Sequence, residues 1–281
     1  MGIPTGSITK YLATAKATLL RVMRAHPAAR VGFFEDQQVG YAAHRALEEQ
    51  HYKCPVTGVW YAFSIDGTVT QIFAPEDPEL ALIYFAGSKH VHGVNSVILV
   101  SPLGLIHAFR LCLPGNTPDG RAAQPIFEWL FDPVVNPNNF GVLVDYGFTQ
   151  FCHPFTHVPP VARPFQPKKD KQPTDKNARV RIAEFSAWVT TCRQYSEWFN
   201  SSFKRAFPRM TMKIRLDNLP QLQRDMELVF LCVMFDAQTA NWRADAPRSV
   251  IHTRPPLLPT PPGCTTTACA RWGGARCATR T

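Results

Sequence analysis

Residues 59–68, Val-Trp-Tyr-Ala-Phe-Ser-Ile-Asp-Gly-Thr, constrain this chain more than any other stretch. An apolar, aromatic run of this density reads as a buried strand, and it carries one carboxylate, Asp66, out of the core at its end. Gly67 then lets the chain turn or another group approach closely. Two readings follow. Asp-Gly pairs commonly cap turns through the aspartate side chain, whereas an acid delivered by a core strand serves a functional site. The choice depends on whether the rest of the chain supplies partners for Asp66.

A chain of 281 residues with 45% apolar content can bury a full core, as one large domain or two small ones. Its 30 Lys and Arg against 21 Asp and Glu give a net charge of +9, which favours an anionic partner such as nucleic acid or a membrane surface. No run approaches the ~18 consecutive apolar residues of a membrane span, and no charged region precedes an apolar signal core, so the expectation is an intracellular protein. Cys54, Cys112, Cys152, Cys192 and Cys232 are widely separated among apolar neighbours and read as reduced core thiols. Cys264, Cys269 and Cys277 match no zinc-module spacing.

Along the chain, residues 5–24 predict an amphipathic helix with Ile8, Leu12, Leu19, Leu20 and Met23 as its stripe, and residues 39–50 predict a second. The pair is either a packing element or the remnant of a DNA-reading helix pair. Period-two patterning then takes over. Residues 68–73 are expected to pair back on the first strand, and residues 94–100 and 105–111 to form a hairpin around Ser101-Pro-Leu-Gly104. Residues 118–131 predict a helix with Asp119 in its first turn, where a carboxylate suits the helix dipole. Residues 141–145, Gly-Val-Leu-Val-Asp, repeat the earlier pattern of strand, acid and then glycine, with Asp145 and Gly147. If those two strands lie parallel and adjacent, Asp66 and Asp145 emerge at one edge of the sheet.

Residues 160–181, rich in proline and in Lys168, Lys169, Lys171, Lys176, Arg179 and Arg181, read as a loop, either solvated or touching a phosphate backbone. Residues 183–207 predict a long helix with Trp188, Cys192, Tyr195 and Phe199 on one side and Arg193, Glu197, Ser201 and Lys204 on the other. Arg193 and Glu197 form either an ordinary surface ion pair or part of a site. Residues 218–242 predict a last helix, and the proline-, threonine- and arginine-rich composition after about Ala246 predicts a disordered tail. The organisation expected is therefore a helical element over 1–57, a main domain over 58–243 and a tail over 244–281.

The order of these motifs resembles the DDE transposases of the Harbinger type and their domesticated nuclease-like relatives, over about residues 59–242. The resemblance rests on Ile65-Asp66-Gly67-Thr68, then on Tyr84, Gly87, Lys89, His92, Gly93 and Asn95, then on Gly115 and Asp119. It continues with Asp145, Gly147 and Phe148, and with Arg193, Glu197 and Lys204 in an arginine, three residues, glutamate, six residues, lysine signature. One departure is Pro118, where the family has a histidine before the aspartate.

The resemblance implies an α/β, ribonuclease-H-like mixed sheet with flanking helices. It implies Asp66, Asp145 and Glu197 as a metal-binding catalytic triad holding two Mg²⁺ or Mn²⁺ ions for phosphodiester hydrolysis or strand transfer on DNA. Hard cations want oxygen ligands, which argues against His90 or His92 in that role. Asp119, Lys89, His92, Arg193 and Lys204 are implied as supporting or DNA-contacting residues. Related systems pair such a nuclease with a separate Myb-like DNA-binding partner, and a nuclear location follows. A second reading keeps the fold and the DNA binding without the chemistry.

Overall fold

The computed structural model describes residues 5–33, 54, 60–102, 104–148, 161–164 and 173–239. The helix expected at 39–50, Cys152, Lys168, Lys169, Lys171 and the tail lie outside the described residues.

Strand β1, Phe63–Gln71, is the axis of the sheet. It does not stop at Asp66, and residues 68–71 continue it rather than turning back as a second strand. The reason is its partner. Strand β3 follows β2 (Phe85–Ala86), spans Val91–Val100 and pairs antiparallel along β1 from Ser64↔Val100 to Gln71↔Gly93. Each β1 residue therefore has a ladder neighbour, and the β-branched run Thr68, Val69, Thr70 suits a pleated surface. The expected hairpin forms: β4, Ile106–Pro114, pairs antiparallel with β3, and Ser101 donates its backbone N–H to Leu105 at 2.9 Å.

On the other side of β1 the sheet becomes parallel. Strand β5, Val142–Leu143, pairs as Phe63↔Val142 and Ser64↔Leu143, and β6, Val161–Ala162, pairs parallel with β5. The result is a curled mixed sheet ordered β4-β3-β1-β5-β6, with β2 joined to the start of β3. Helices flank it, consistent with a ribonuclease-H-like fold.

Helix α1 spans Thr5–Ala25, α2 Pro78–Ile83, α3 Asp119–Leu130, α4 Lys176–Ala206 and α5 Leu219–Thr239. Successive β1 residues face opposite sides of the sheet. Ser64 meets Ser196 of α4, whereas Gly67 meets Asp119 of α3, so the two helices cover opposite faces. Helix α5 joins α4 on its face, where Phe230 packs against Phe203 and against Phe109 of β4. Trp188, Tyr195 and Phe199 are buried as their spacing predicts.

Two boundaries differ from expectation. Helix α4 starts at Lys176 because Asp175 caps it, accepting from the N–H groups of Asn177 and Ala178 at 3.1 and 2.9 Å. Lys176, Arg179 and Arg181 are thus helical, not loop residues. In α1 the predicted stripe splits. Leu20 and Met23 are buried with Leu231 of α5, while Ile8, Leu12 and Leu19 face solvent. The docked side is fixed by Lys16 with Asp225 at 2.9 Å and by Arg24 with Glu227 at 2.6 and 2.7 Å.

Cys54, Cys112, Cys192 and Cys232 are free thiols, and burial pushes Cys112 up to about 12. No helix among the described residues is long and apolar enough to cross a membrane. His107 on β4 is buried, with its Nδ1 2.9 Å from the Gly32 carbonyl and its ring edge-on to Phe63. Burial lowers its pKa from 6.5 to about 3. The unfolded chain therefore binds the proton first. Stability is full above pH 6.5 and falls with acid towards pH 3, by up to about 1.4 kcal/mol per pH unit from this group. Urea midpoints between pH 7 and 5 should show this loss, and His107→Gln should flatten it relative to its own value at pH 7.

Candidate active site

Helix α4 meshes with β1 through a matched pitch. Four helical residues rise about 6 Å and two strand residues about 6.6 Å, so side chains at i and i+4 can follow those at j and j+2. Ser64 donates to Ser196 at 3.2 Å, and one step further Asn200 Nδ2 donates to Asp66 Oδ2 at 2.7 Å. The other Asp66 oxygen accepts the Gly67 N–H at 2.9 Å. Asp66 thus sits mid-strand with both oxygens engaged. Burial raises its pKa, while Asn200, Arg193 and the Gly67 N–H oppose that shift and the charge of Glu197 adds to it.

Asp145 lies just past β5. The parallel register, carried two residues beyond Ser64↔Leu143, aligns it with Asp66 on the neighbouring strand, where strands are about 4.8 Å apart. Its side chain is 53% exposed; Oδ1 accepts the Tyr146 N–H at 2.7 Å and stands 3.8 Å from Arg193 Nη1. Arg193 is buried, contrary to its expected place on an exposed polar stripe. Its guanidinium is drawn in towards both aspartates, near enough to Asp66 to oppose the rise that burial causes in that carboxyl's pKa. Glu197 is exposed on the next turn of α4, within electrostatic reach of Asp66.

Asp119 occupies the opposite face of β1. A Cβ at Gly67 would lie 2.7 Å from the Asp119 carboxyl carbon, so glycine here serves close approach and not a turn. Asn95 of β3 holds that acid, its Nδ2 donating to Asp119 Oδ1 at 2.5 Å and to the Thr117 carbonyl at 3.1 Å. Lys204 continues the α4 face one turn past Asn200. Burial lowers its pKa, Asp66 raises it, and Lys89, in the turn between β2 and β3, lowers it.

His92 stands apart from this group. It pairs with Phe85 in the ladder and packs edge-on against its ring, six residues along β3 from the partner of Asp66, or roughly 20 Å. Sequence reasoning missed Asn200 as a partner of Asp66. Its signal was a polar residue four positions after Ser196, beside the apolar Tyr195 and Phe199. Asn95 was noticed, but its hold on Asp119 was not.

Asp66 on β1, Asp145 just past the adjacent parallel β5 and Glu197 on the helix across one face sit in a mixed sheet consistent with a ribonuclease-H-like fold. A family model described as DDE superfamily endonuclease matches residues 65–235, and the chain belongs to that family. No curated protein and no solved structure matches the chain.

Endonucleases of this superfamily generally use divalent metal ions. The donors near Asp66 suit a hard cation: they are carboxylate oxygens, with Asn200 Oδ1 buried and without a hydrogen-bond partner among the described residues. Among those residues, no three His, Cys, Asp or Glu side chains are grouped so as to hold an ion. The donor chemistry therefore fits, while the three acids are splayed, Asp66 towards Asn200 and Asp145 towards Arg193.

The contact at Gly67 is testable by a double-mutant cycle. Gly67→Ala should destabilise the protein by about 1–3 kcal/mol, because the new methyl displaces a carboxylate held by Asn95. In an Asp119→Ala background the same change should cost clearly less in urea unfolding. An equal cost in both backgrounds would show that the approach of Asp119 is not what requires glycine.

Proposed function

We propose that this chain is a Harbinger-type DDE nuclease or transposase that cleaves or joins DNA phosphodiesters, with Asp66, Asp145 and Glu197 as its acidic triad. The observation that carries the reading is the parallel β1–β5 pairing, which aligns Asp66 with Asp145 while α4 presents Glu197 within electrostatic reach of Asp66. The match to the DDE superfamily endonuclease model, beginning at Ile65 and ending at Phe235, includes all three acids and Lys204.

Mg²⁺ or Mn²⁺, two ions when bound, supply Lewis acidity at the phosphoryl oxygens and an activated nucleophile at neutral pH. Asp66 is the fixed member. Asn200 and the Gly67 N–H orient its two oxygens, and its burial leaves an anion that gains from any neighbouring positive charge. Asp145 and Glu197 are the exposed members, which would hold the ions together with Asp66 after side-chain rotation. Arg193 offsets the crowded negative charge. Lys204 and Lys89 add positive potential on the side from which a phosphate backbone approaches. The basic balance of the chain supports DNA as the partner, and the Harbinger-type reading adds a nuclear location and a separate Myb-like protein that reads sequence.

A second reading, DNA binding without chemistry, is favoured by two observations: Pro118 stands before Asp119, and Arg193 engages Asp145. Labelled DNA incubated in Mg²⁺ separates the two. Wild type should cleave, with Asp66→Asn slower by at least about 100-fold. Equal cleavage by the variant would remove the triad. Absence of cleavage together with salt-dependent binding, steepening by about 0.9 in log–log slope per phosphate contacted, selects the second reading.

A further inference from the structure

Asn200 Oδ1 and Thr68 Oγ1 are shut off from solvent and have no hydrogen-bond partner among the described residues. Both belong to the surroundings of Asp66. Thr68 lies two residues after it on β1, so its side chain shares the sheet face that α4 covers. Asn200 comes from α4 itself, where its Nδ2 donates to Asp66 Oδ2 at 2.7 Å. A buried oxygen without a donor is costly, and here such oxygens gather on one side of a buried carboxylate.

Each of these atoms is a donor that a hard cation takes. Mg²⁺ and Mn²⁺ select oxygen, and carbonyl as well as carboxylate oxygens serve as ligands. The three acids differ in what already engages them. Asp145 stands 3.8 Å from Arg193, and Glu197 is exposed. The side chain that touches Asp66 from across the face is Asn200. Glu197 precedes it by three residues, close to one helical turn, so α4 presents an acid at the rim and an amide further in.

The amide can change role without any movement of the backbone. Its oxygen and nitrogen sit in nearly equivalent positions, and a half-turn of the group exchanges them. With Nδ2 towards Asp66, the carboxylate gains a donor and Oδ1 is left unsatisfied. With Oδ1 towards Asp66, oxygen faces oxygen, which is repulsive alone and favourable once a cation lies between them.

We infer that Asn200 is a metal ligand of this protein through Oδ1, paired with Asp66 as the inner part of a site that Asp145 and Glu197 close from the rim. The inference rests on the metal-dependent nuclease reading and adds to its acids a donor of a different kind. Because Asn200 is neutral, it supplies an oxygen without adding to the negative charge already crowded there. Affinity follows ligand charge, so the ion is held less tightly than a carboxylate at this position would hold it.

Electron paramagnetic resonance of Mn²⁺ added to the full chain tests this without DNA or turnover. Loss of the free-ion signal gives the dissociation constant, which should rise at least about 10-fold in Asn200→Leu. In Asn200→Asp, which keeps an oxygen and adds a charge, it should fall. Thermal midpoints in chelator report whether each variant folds, and the decisive measurement uses the wild type. In protein made by cell-free synthesis with asparagine carrying ¹³C at Cγ, electron–nuclear double resonance of bound Mn²⁺ should show a ¹³C coupling, because that carbon adjoins the ligating oxygen. Asn200→Asp should bind Mn²⁺ and lose the coupling. A residue that only donates to Asp66, or a buried water that satisfies the same oxygens, gives no coupling. Coupling absent in the wild type or retained in Asn200→Asp, or a dissociation constant unchanged in Asn200→Leu, overturns the inference and leaves the acidic triad standing. A wild type that binds no Mn²⁺ overturns the metal-dependent reading with it.

Discussion

A carboxylate in the middle of the central strand of a mixed sheet must be met by a donor, and here the donor is the Asn200 amide at 2.7 Å from Asp66. Together with the Ser64–Ser196 contact one step earlier, that bond sets both the height and the rotation of α4 over β1. A slip of one residue would turn the helix by about 100° and leave these buried polar groups unsatisfied. Once the mesh is set, the directions of Arg193, Glu197 and Lys204 are set with it. Arg193 turns in beneath the two aspartates, Glu197 stays at the rim, and Lys204 follows two turns after Glu197.

The opposite face of the sheet is governed by a different economy of space. Gly67 has no side chain, Asp119 fills the vacated volume, and Asn95 ties that acid to β3. Acids therefore approach β1 from both faces within two residues of one another. Such crowding is electrostatically unfavourable unless cations or hydrogen-bond donors intervene. The described residues supply Arg193 beside Asp145, Asn200 at Asp66 and Asn95 at Asp119, which makes the site polar and ordered.

Much of this was readable in residue order. The hairpin of β3 and β4, the helix begun by Asp119, the short strand before Asp145 and the buried side of α4 all followed from periodicity and turn chemistry. Two of the errors share one cause. Asp66-Gly67 looks locally like a strand end, yet β3 supplies a ladder partner on both sides of it, and a distant partner overrides a local turn preference. Arg193 looked like a surface residue because its helical neighbours are polar, and only the position of Asp145 draws it inward. The early start of α4 was hidden by charges that resemble a loop, although Asp175 was a legible cap.

Residue order alone settles which segments become strands and helices, and which acids, amides and basic residues each segment carries, because propensity and hydrophobic period act over a few neighbours. Tertiary structure decides which of those faces are used. It chooses Leu20 and Met23 over Ile8, Leu12 and Leu19 as the docked side of α1, aligns Asp66 with Asp145 across strands 79 residues apart, and brings Asn200 to the first of them. The physical reason is that burial and polar satisfaction are properties of a neighbourhood in space. A side chain 134 residues away completes that of Asp66, beyond the reach of any local pattern.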